Sequence, residues 1–123
     1  MRALLVEDEA LVALIAEEAL AGLGFRVHAA STAADALAAF ERERPDLAVI
    51  DIGLPDMRGD ELAKAIREKA PDLAIIMASG YDAADIAGRF AGDERLLVVS
   101  KPYTEGDLAG AIEGLGLKPN SPG

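Results

Sequence analysis

The chain has 123 residues, 12 of them Lys or Arg and 22 Asp or Glu, for a net charge of −10 and no cysteine. A single domain of ordinary size is expected, and a field of this sign argues against direct binding to nucleic acid or to anionic membranes. Disulfides, thiolate zinc sites and thiol nucleophiles are excluded, and an N-terminal apolar stretch that meets Glu7-Asp8-Glu9 after six residues is too short for a signal sequence or a membrane span, so a cytoplasmic location is expected.

Short apolar runs then alternate with longer stretches of helical spacing. Ala3 to Val6 is the first run, and it lacks polar alternation, as suits a parallel strand buried on both faces. Leu11, Leu14, Ile15, Glu18 and Leu20 follow at helical spacing, and Gly22 and Gly24 end that helix. Phe25 to Ala29 is the second run; Ser31 or Thr32 caps the next helix, with Leu37 and Phe40 on one face and Pro45 beyond its end. Leu47 to Ile50 is the third, after which Gly59 starts a helix whose stripe of Leu62, Ile66 and Lys69 stops before Pro71. Leu73 to Ala78 is the fourth, followed by a helix over Asp82 to Gly92 that Asp82 caps. Gly88 and several alanines make this helix weak and easily opened. Leu96 to Val99 is the fifth, and Thr104 caps a last helix carrying Leu108, Ala111, Ile112 and Leu115. The domain is expected over 1–117, with a polar Pro/Gly-rich tail over 118–123 that is frayed.

Five strand-then-helix units with short connections imply an α/β domain, doubly wound around a parallel sheet, because right-handed crossovers must lay each helical stripe on the sheet. In such sheets ligands bind beyond the carboxyl ends of the strands. Glu7, Asp8 and Glu9 follow the first strand, Asp51 the third, Ser79-Gly80 the fourth, and Ser100-Lys101-Pro102 the fifth. Carboxylates crowded on one rim raise one another's pKa unless a cation intervenes, and an all-oxygen site with few protein ligands suits Mg2+. An Asp beside such an ion can take a phosphoryl group, with a hydroxyl and an ammonium neutralising the transferred oxygens. Acidic residues after a strand also serve as helix N-terminal charges, which would account for Asp8-Glu9 alone but not for four strand ends together.

These residues resemble the receiver domain of two-component response regulators. The likeness spans residues 1 to 117 and rests on Leu4-Leu5-Val6-Glu7-Asp8-Glu9, on Pro45 to Leu62 around Asp51, on Met77-Ala78-Ser79-Gly80-Tyr81, and on Ser100-Lys101-Pro102-Tyr103. It implies a flavodoxin-like (βα)5 fold with strand order 2-1-3-4-5. It implies Asp51 as phosphoacceptor, Mg2+ held by Asp8, Asp51 and the Gly53 backbone carbonyl with Glu7 acting through water, Ser79 bonding the phosphoryl group and Lys101 pairing with it. It also implies a cis Lys101-Pro102 bond. A histidine kinase or phosphotransfer protein would be the donor and an unknown downstream protein the target. No enzymatic turnover beyond the domain's own phosphoryl transfer and dephosphorylation is implied, and the chain would be a monomer or weak homodimer. A receiver module of a longer hybrid histidine kinase, or a phosphate shuttle, fits the same residues.

Two departures from the family pattern stand out. Glu7-Asp8 replaces the commoner Asp-Asp, and Val98 stands three residues before Lys101, where many receivers carry an aromatic that moves inward. Ser79-Gly80-Tyr81 is similar to the Thr-Gly-Tyr loop of an alphaproteobacterial subgroup, in which that loop and the fourth helix carry more of the switch. Other classes fit less well. A flavin carrier needs a Gly- and hydroxyl-rich loop where the acidic run stands, a haloacid-type phosphatase needs an Asp where Gly53 stands, and a phosphate-free scaffold leaves Asp8, Asp51 and Lys101 without purpose. His28 reads as an edge-strand residue with no second ligand nearby, and Tyr81 and Tyr103 as loop packing.

Overall fold

The computed structural model describes residues 1–80 and 82–118. Tyr81 and residues 119–123 of the expected tail lie outside the described residues. Five strands, β1 (Arg2–Val6), β2 (Arg26–Ala30), β3 (Leu47–Asp51), β4 (Ala74–Ser79) and β5 (Leu96–Ser100), alternate with α1 (Ala10–Gly22), α2 (Ala33–Arg42), α3 (Gly59–Lys69), α4 (Ala83–Arg89) and α5 (Glu105–Gly114). All neighbouring strands run parallel, in the order β2-β1-β3-β4-β5. The expected doubly wound (βα)5 sheet is therefore present. Phe25 and Leu73, read as strand starts, lie just before β2 and β4 and are buried there, because an apolar side chain marks burial rather than extended backbone.

Successive strand residues point to opposite faces, so each strand feeds two cores. Leu4 and Val6 of β1 join Phe40 of α2, Leu62 and Ile66 of α3 and Ile86 of α4 on one side of the sheet. Ala3 and Leu5 join Leu20 of α1 and Leu108 and Ile112 of α5 on the other. Central strands β3 and β4 are buried along their whole length, which is why their sequences show no polar alternation. His28 is exposed on β2, an edge strand, as expected.

Two helices start on side-chain caps. Thr32 accepts from Asp35 N at 3.1 Å, and Thr104 and Asp107 form a reciprocal capping box at 2.9 and 3.1 Å. Asp82 departs from expectation: it holds the N-cap position of α4 but its carboxylate makes no cap hydrogen bond. Helix α4 also ends at Arg89, short of the expected Gly92, after seven residues with low helix propensity.

Helix α1 turns its large side chains outward. Ala16 and Leu20 are buried, with Ala13, Ala19 and Leu23 packed beside them, whereas Leu11, Leu14 and Ile15 are 70%, 52% and 58% exposed. At 3.6 residues per turn Ala13, Ala16, Leu20 and Leu23 form one row, and Leu11, Leu14 and Glu18 fall on the opposite side. The sheet therefore receives the row of Ala13, Ala16, Leu20 and Leu23. No described helix is long and apolar enough to cross a membrane.

Asp60, in the first turn of α3, joins that helix to α4. Its buried carboxylate accepts from Arg58 Nε at 3.1 Å and from Arg89 Nη1 at 2.9 Å. Burial pushes this carboxyl up, but hydrogen bonding and charge from Arg58 more than reverse the push and leave it below its ordinary value of 3.8. A carboxylate held low in the folded state adds stability above its unfolded value and loses it as pH falls through the folded one. Asp60→Asn should lower the urea-unfolding free energy by about 1 kcal/mol at pH 6, and the gap from wild type should shrink on going below pH 3.8. A gap that stays constant with pH would show that the clasp is not electrostatic.

Candidate functional site

The order β2-β1-β3 sends the chain to opposite sides after β1 and β3, and the crevice between those two strand ends is the topological switch point. Glu7 and Asp8 leave β1 and Asp51 closes β3. Each offers a carboxylate oxygen, and the three oxygens lie within 4.8 Å of one another. Lys101, just past β5, reaches into the same crevice: Nζ stands 2.5 Å from Asp51 Oδ1 and 3.5 Å from Glu7 Oε2. The sequence pattern predicts these four residues together, and the fold brings them together.

Glu7 and Asp51 are buried, while Asp8 faces solvent. Burial pushes the Glu7 carboxyl above its usual range, with the charges of Asp51 and Asp8 adding to the push and the Glu9 N–H, at 3.1 Å from Oε1, opposing it. Burial works against the Lys101 ammonium, but Asp51 and then Glu7 outweigh it and hold its pKa above the ordinary lysine value. Asp51 Oδ1 is buried and forms an ion pair with Lys101. Three carboxylates within 4.8 Å, of which Glu7 and Asp51 share one ammonium, leave a net negative, all-oxygen donor set that fits a hard, oxygen-seeking divalent cation.

The backbone around Asp51 is tightly held. Ile52 N donates to Ala78 O at 3.1 Å and Gly59 N to Ile52 O at 2.9 Å, which brings the start of α3 against the end of β3. Only glycine allows this approach: a Cβ on Gly59 would stand 2.1 Å from Asp51 O and 2.8 Å from Ile52 Cα. Asp56 tethers the intervening loop by accepting Ala33 N at 2.8 Å and Ala34 N at 3.0 Å from the first turn of α2, and those two N–H groups hold its carboxyl below the ordinary range. That loop carries Gly53, where an added Cβ would lie 3.6 Å from Asp51 Oδ2. Local sequence gives no sign of the tether from Asp56, because its partner helix lies 22 and 23 residues away.

Ser79 is fully buried at the end of β4, its carbonyl accepting Lys101 N at 2.7 Å. Its hydroxyl does not hydrogen-bond Asp51; it donates to the Asp82 carboxylate. The position of Asp82 ahead of a helix suggests a cap, although Ser79-Gly80-Tyr81-Asp82 also carries the Ser-x-x-Asp spacing of a local side-chain pair. Lys101-Pro102 is cis, as expected. Val98 is partly buried against the α3/α4-side core opposite Met77, so β5 presents no aromatic there. Tyr103 packs partly buried on the α1/α5-side core; burial raises its hydroxyl's pKa, and the nearby Glu7 charge adds to the rise. Loop packing, expected for Tyr103, thus places it beside the acidic cup.

Sheet order and acidic cup together define a flavodoxin-like α/β domain with an oxygen-rich site at its switch point. The response regulator receiver domain matches this chain over residues 3–113, and the chain belongs to that family of two-component signalling domains. It is 35% identical over 103 residues to the probable transcriptional regulatory protein TcrX of Mycobacterium tuberculosis, covering 82% of this chain and 43% of TcrX. It is 32% identical over 112 residues to the sensor kinase CckA of Brucella abortus, covering 89% of this chain and 12% of CckA. The chain thus spans less than half the length of these curated relatives. A CheY-like receiver domain protein from Methanospirillum hungatei superimposes with a TM-score of 0.82 at 31% identity, covering 91% of this chain and 90% of that one.

Gly59→Ala should cost about 1–3 kcal/mol, the usual range for overpacking a rigid site. Urea unfolding is the measurement, and an unchanged midpoint would show that the Asp51 backbone is free to give way.

Proposed function

We propose that this domain is a phosphorylation-controlled switch in which Asp51 takes a phosphoryl group from the phosphohistidine of a histidine kinase or phosphotransfer protein. The observation that carries this reading is Lys101 Nζ at 2.5 Å from Asp51 Oδ1 inside the acidic cup. An ammonium there is placed to meet the charge on transferred phosphoryl oxygens. A carboxylate oxygen of Asp51 attacks phosphorus; the new O–P bond forms as the N–P bond breaks, and the donor imidazole leaves with the electron pair and takes up a proton. Asp8, Asp51 and the Gly53 carbonyl would hold Mg2+ directly and Glu7 through water, and the ion supplies positive charge between crowded carboxylates and phosphoryl oxygens. Lys101 pairs with the bound group and the Ser79 hydroxyl donates to it.

Asp8 and Glu9 run directly into α1, so a donor whose histidine reaches Asp51 comes in near that helix. Leu11, Leu14 and Ile15 offer it an exposed apolar face there. The output is a changed affinity of the face formed by α4, β5 and α5 for a downstream protein; moving that face from 1:99 to 99:1 requires about 5.5 kcal/mol of preference. The domain turns over no other substrate, does not contact nucleic acid or membrane directly, and works in the cytoplasm as a monomer or weak homodimer. The likeness to CckA over 12% of that sensor kinase's length favours a second setting, the receiver module of a longer hybrid histidine kinase or a phosphate shuttle within it.

Incubation with a phosphorylated histidine kinase and Mg2+ should label wild type on Asp51 and leave Asp51→Asn unlabelled. Equal labelling of the two would sink the assignment.

A further inference from the structure

We propose that Asp82 is a positioning residue that withholds the Ser79 hydroxyl from the phosphoacceptor in the resting domain and couples its release to the start of α4. This rests on the reading of Asp51 as phosphoacceptor. A serine hydroxyl has one proton to donate, and in this structure that proton goes to the Asp82 carboxylate. Ser79 cannot translate to serve two acceptors, since its carbonyl is bound to Lys101 N at 2.7 Å and the residue is fully buried at the end of β4. Only its side chain can turn. A phosphoryl group on Asp51 must therefore compete with Asp82 for this proton, and a hydrogen bond to a charged acceptor is among the stronger ones to displace.

The freed carboxylate has a destination. Asp82 stands at the N-cap of α4 with φ −95° and ψ 13° and caps nothing. Thr32 and Thr104, whose side chains do cap α2 and α5, have extended backbones with ψ 160° and 170°. Capping by Asp82 thus requires rotation of its own backbone toward the extended region, where Ser, Thr and Asp satisfy first-turn N–H groups, and that rotation swings the carboxylate that now holds Ser79. Two states are thereby assigned: Ser79 on Asp82 with α4 uncapped, as observed, or Ser79 on the phosphoryl group with Asp82 turned to cap α4. Asp82 thus supplies a route from site to helix that needs no aromatic in β5, where Val98 stands.

The test is a double-mutant cycle on binding of magnesium beryllofluoride, a phosphoryl mimic, followed by NMR in the full chain. Asp82→Ala should tighten binding by about three- to tenfold, a charged hydrogen bond no longer in competition less the α4 cap that this variant cannot form. In a Ser79→Ala background the same change should have no effect, which a merely structural role or a general charge repulsion would not reproduce. Asp82→Asn, a weaker acceptor of the same shape, should fall between and guards against misfolding of the alanine variant. Mimic binding should also slow amide exchange at Ala84 and Asp85 in wild type but not in Asp82→Ala. Equal tightening in both backgrounds, or none in either, overturns the role of Asp82. Failure of wild type to bind the mimic, or equal binding by Asp51→Asn, overturns the phosphoacceptor reading and this inference with it.

Discussion

Three carboxylates whose oxygens lie within 4.8 Å repel one another, and among the described residues one ammonium, that of Lys101, pairs with two of them. Much of the architecture serves to hold that unfavourable cluster. Glu7 and Asp51 sit at the ends of neighbouring strands whose ladder fixes their separation, and the sheet beneath is buried on both faces. Gly59 lets α3 close against the backbone of Asp51, and Asp56 pins the following loop to α2. A looser scaffold would let the carboxylates drift apart into water and relax the repulsion. Preorganisation of this kind is what gives a site affinity for cations and for the transferred charge of a phosphoryl group.

The same cluster changes the meaning of the net charge. Of the −10, the charges of Glu7, Asp8 and Asp51 converge on one crevice instead of solvating the surface, and Lys101 offsets one of them. Under the proposed function the local field there would respond to cation binding and to phosphorylation, each of which would change the charge facing Ser79 and Tyr103. Helix α4 is the element proposed to register that change. It is seven residues long, lacks a side-chain cap and is joined to α3 through Arg89 and Asp60.

Parts of the fold that depend on neighbours along the chain are legible in the residues themselves. Each apolar run marks a strand to within a residue or so, since a parallel strand buried on both faces has no choice but to be apolar. Thr104 reads as a cap, and Thr32 as one of two candidates beside Ser31, because a cap and its N–H partner lie three residues apart. The chemistry is legible too: Glu7, Asp8, Asp51 and Lys101 follow separate strands of one parallel sheet, and that sheet gathers its carboxyl ends on one rim. Residue type and order along the chain carry all of this.

Contacts between distant segments are a different matter. Helical spacing in α1 singles out Leu11, Leu14, Ile15 and Leu20, yet of these the sheet takes only Leu20, together with Ala13 and Ala16. Asp82 has the composition of a cap but spends its carboxylate on Ser79, a choice that turns on the position of a buried hydroxyl rather than on local spacing. Asp56 and Gly59 look like ordinary turn residues until α2 and the Asp51 backbone are seen against them. Sequence sets which groups a chain owns and how they repeat; which of them face one another is settled by packing, because side-chain direction follows from where neighbouring elements lie.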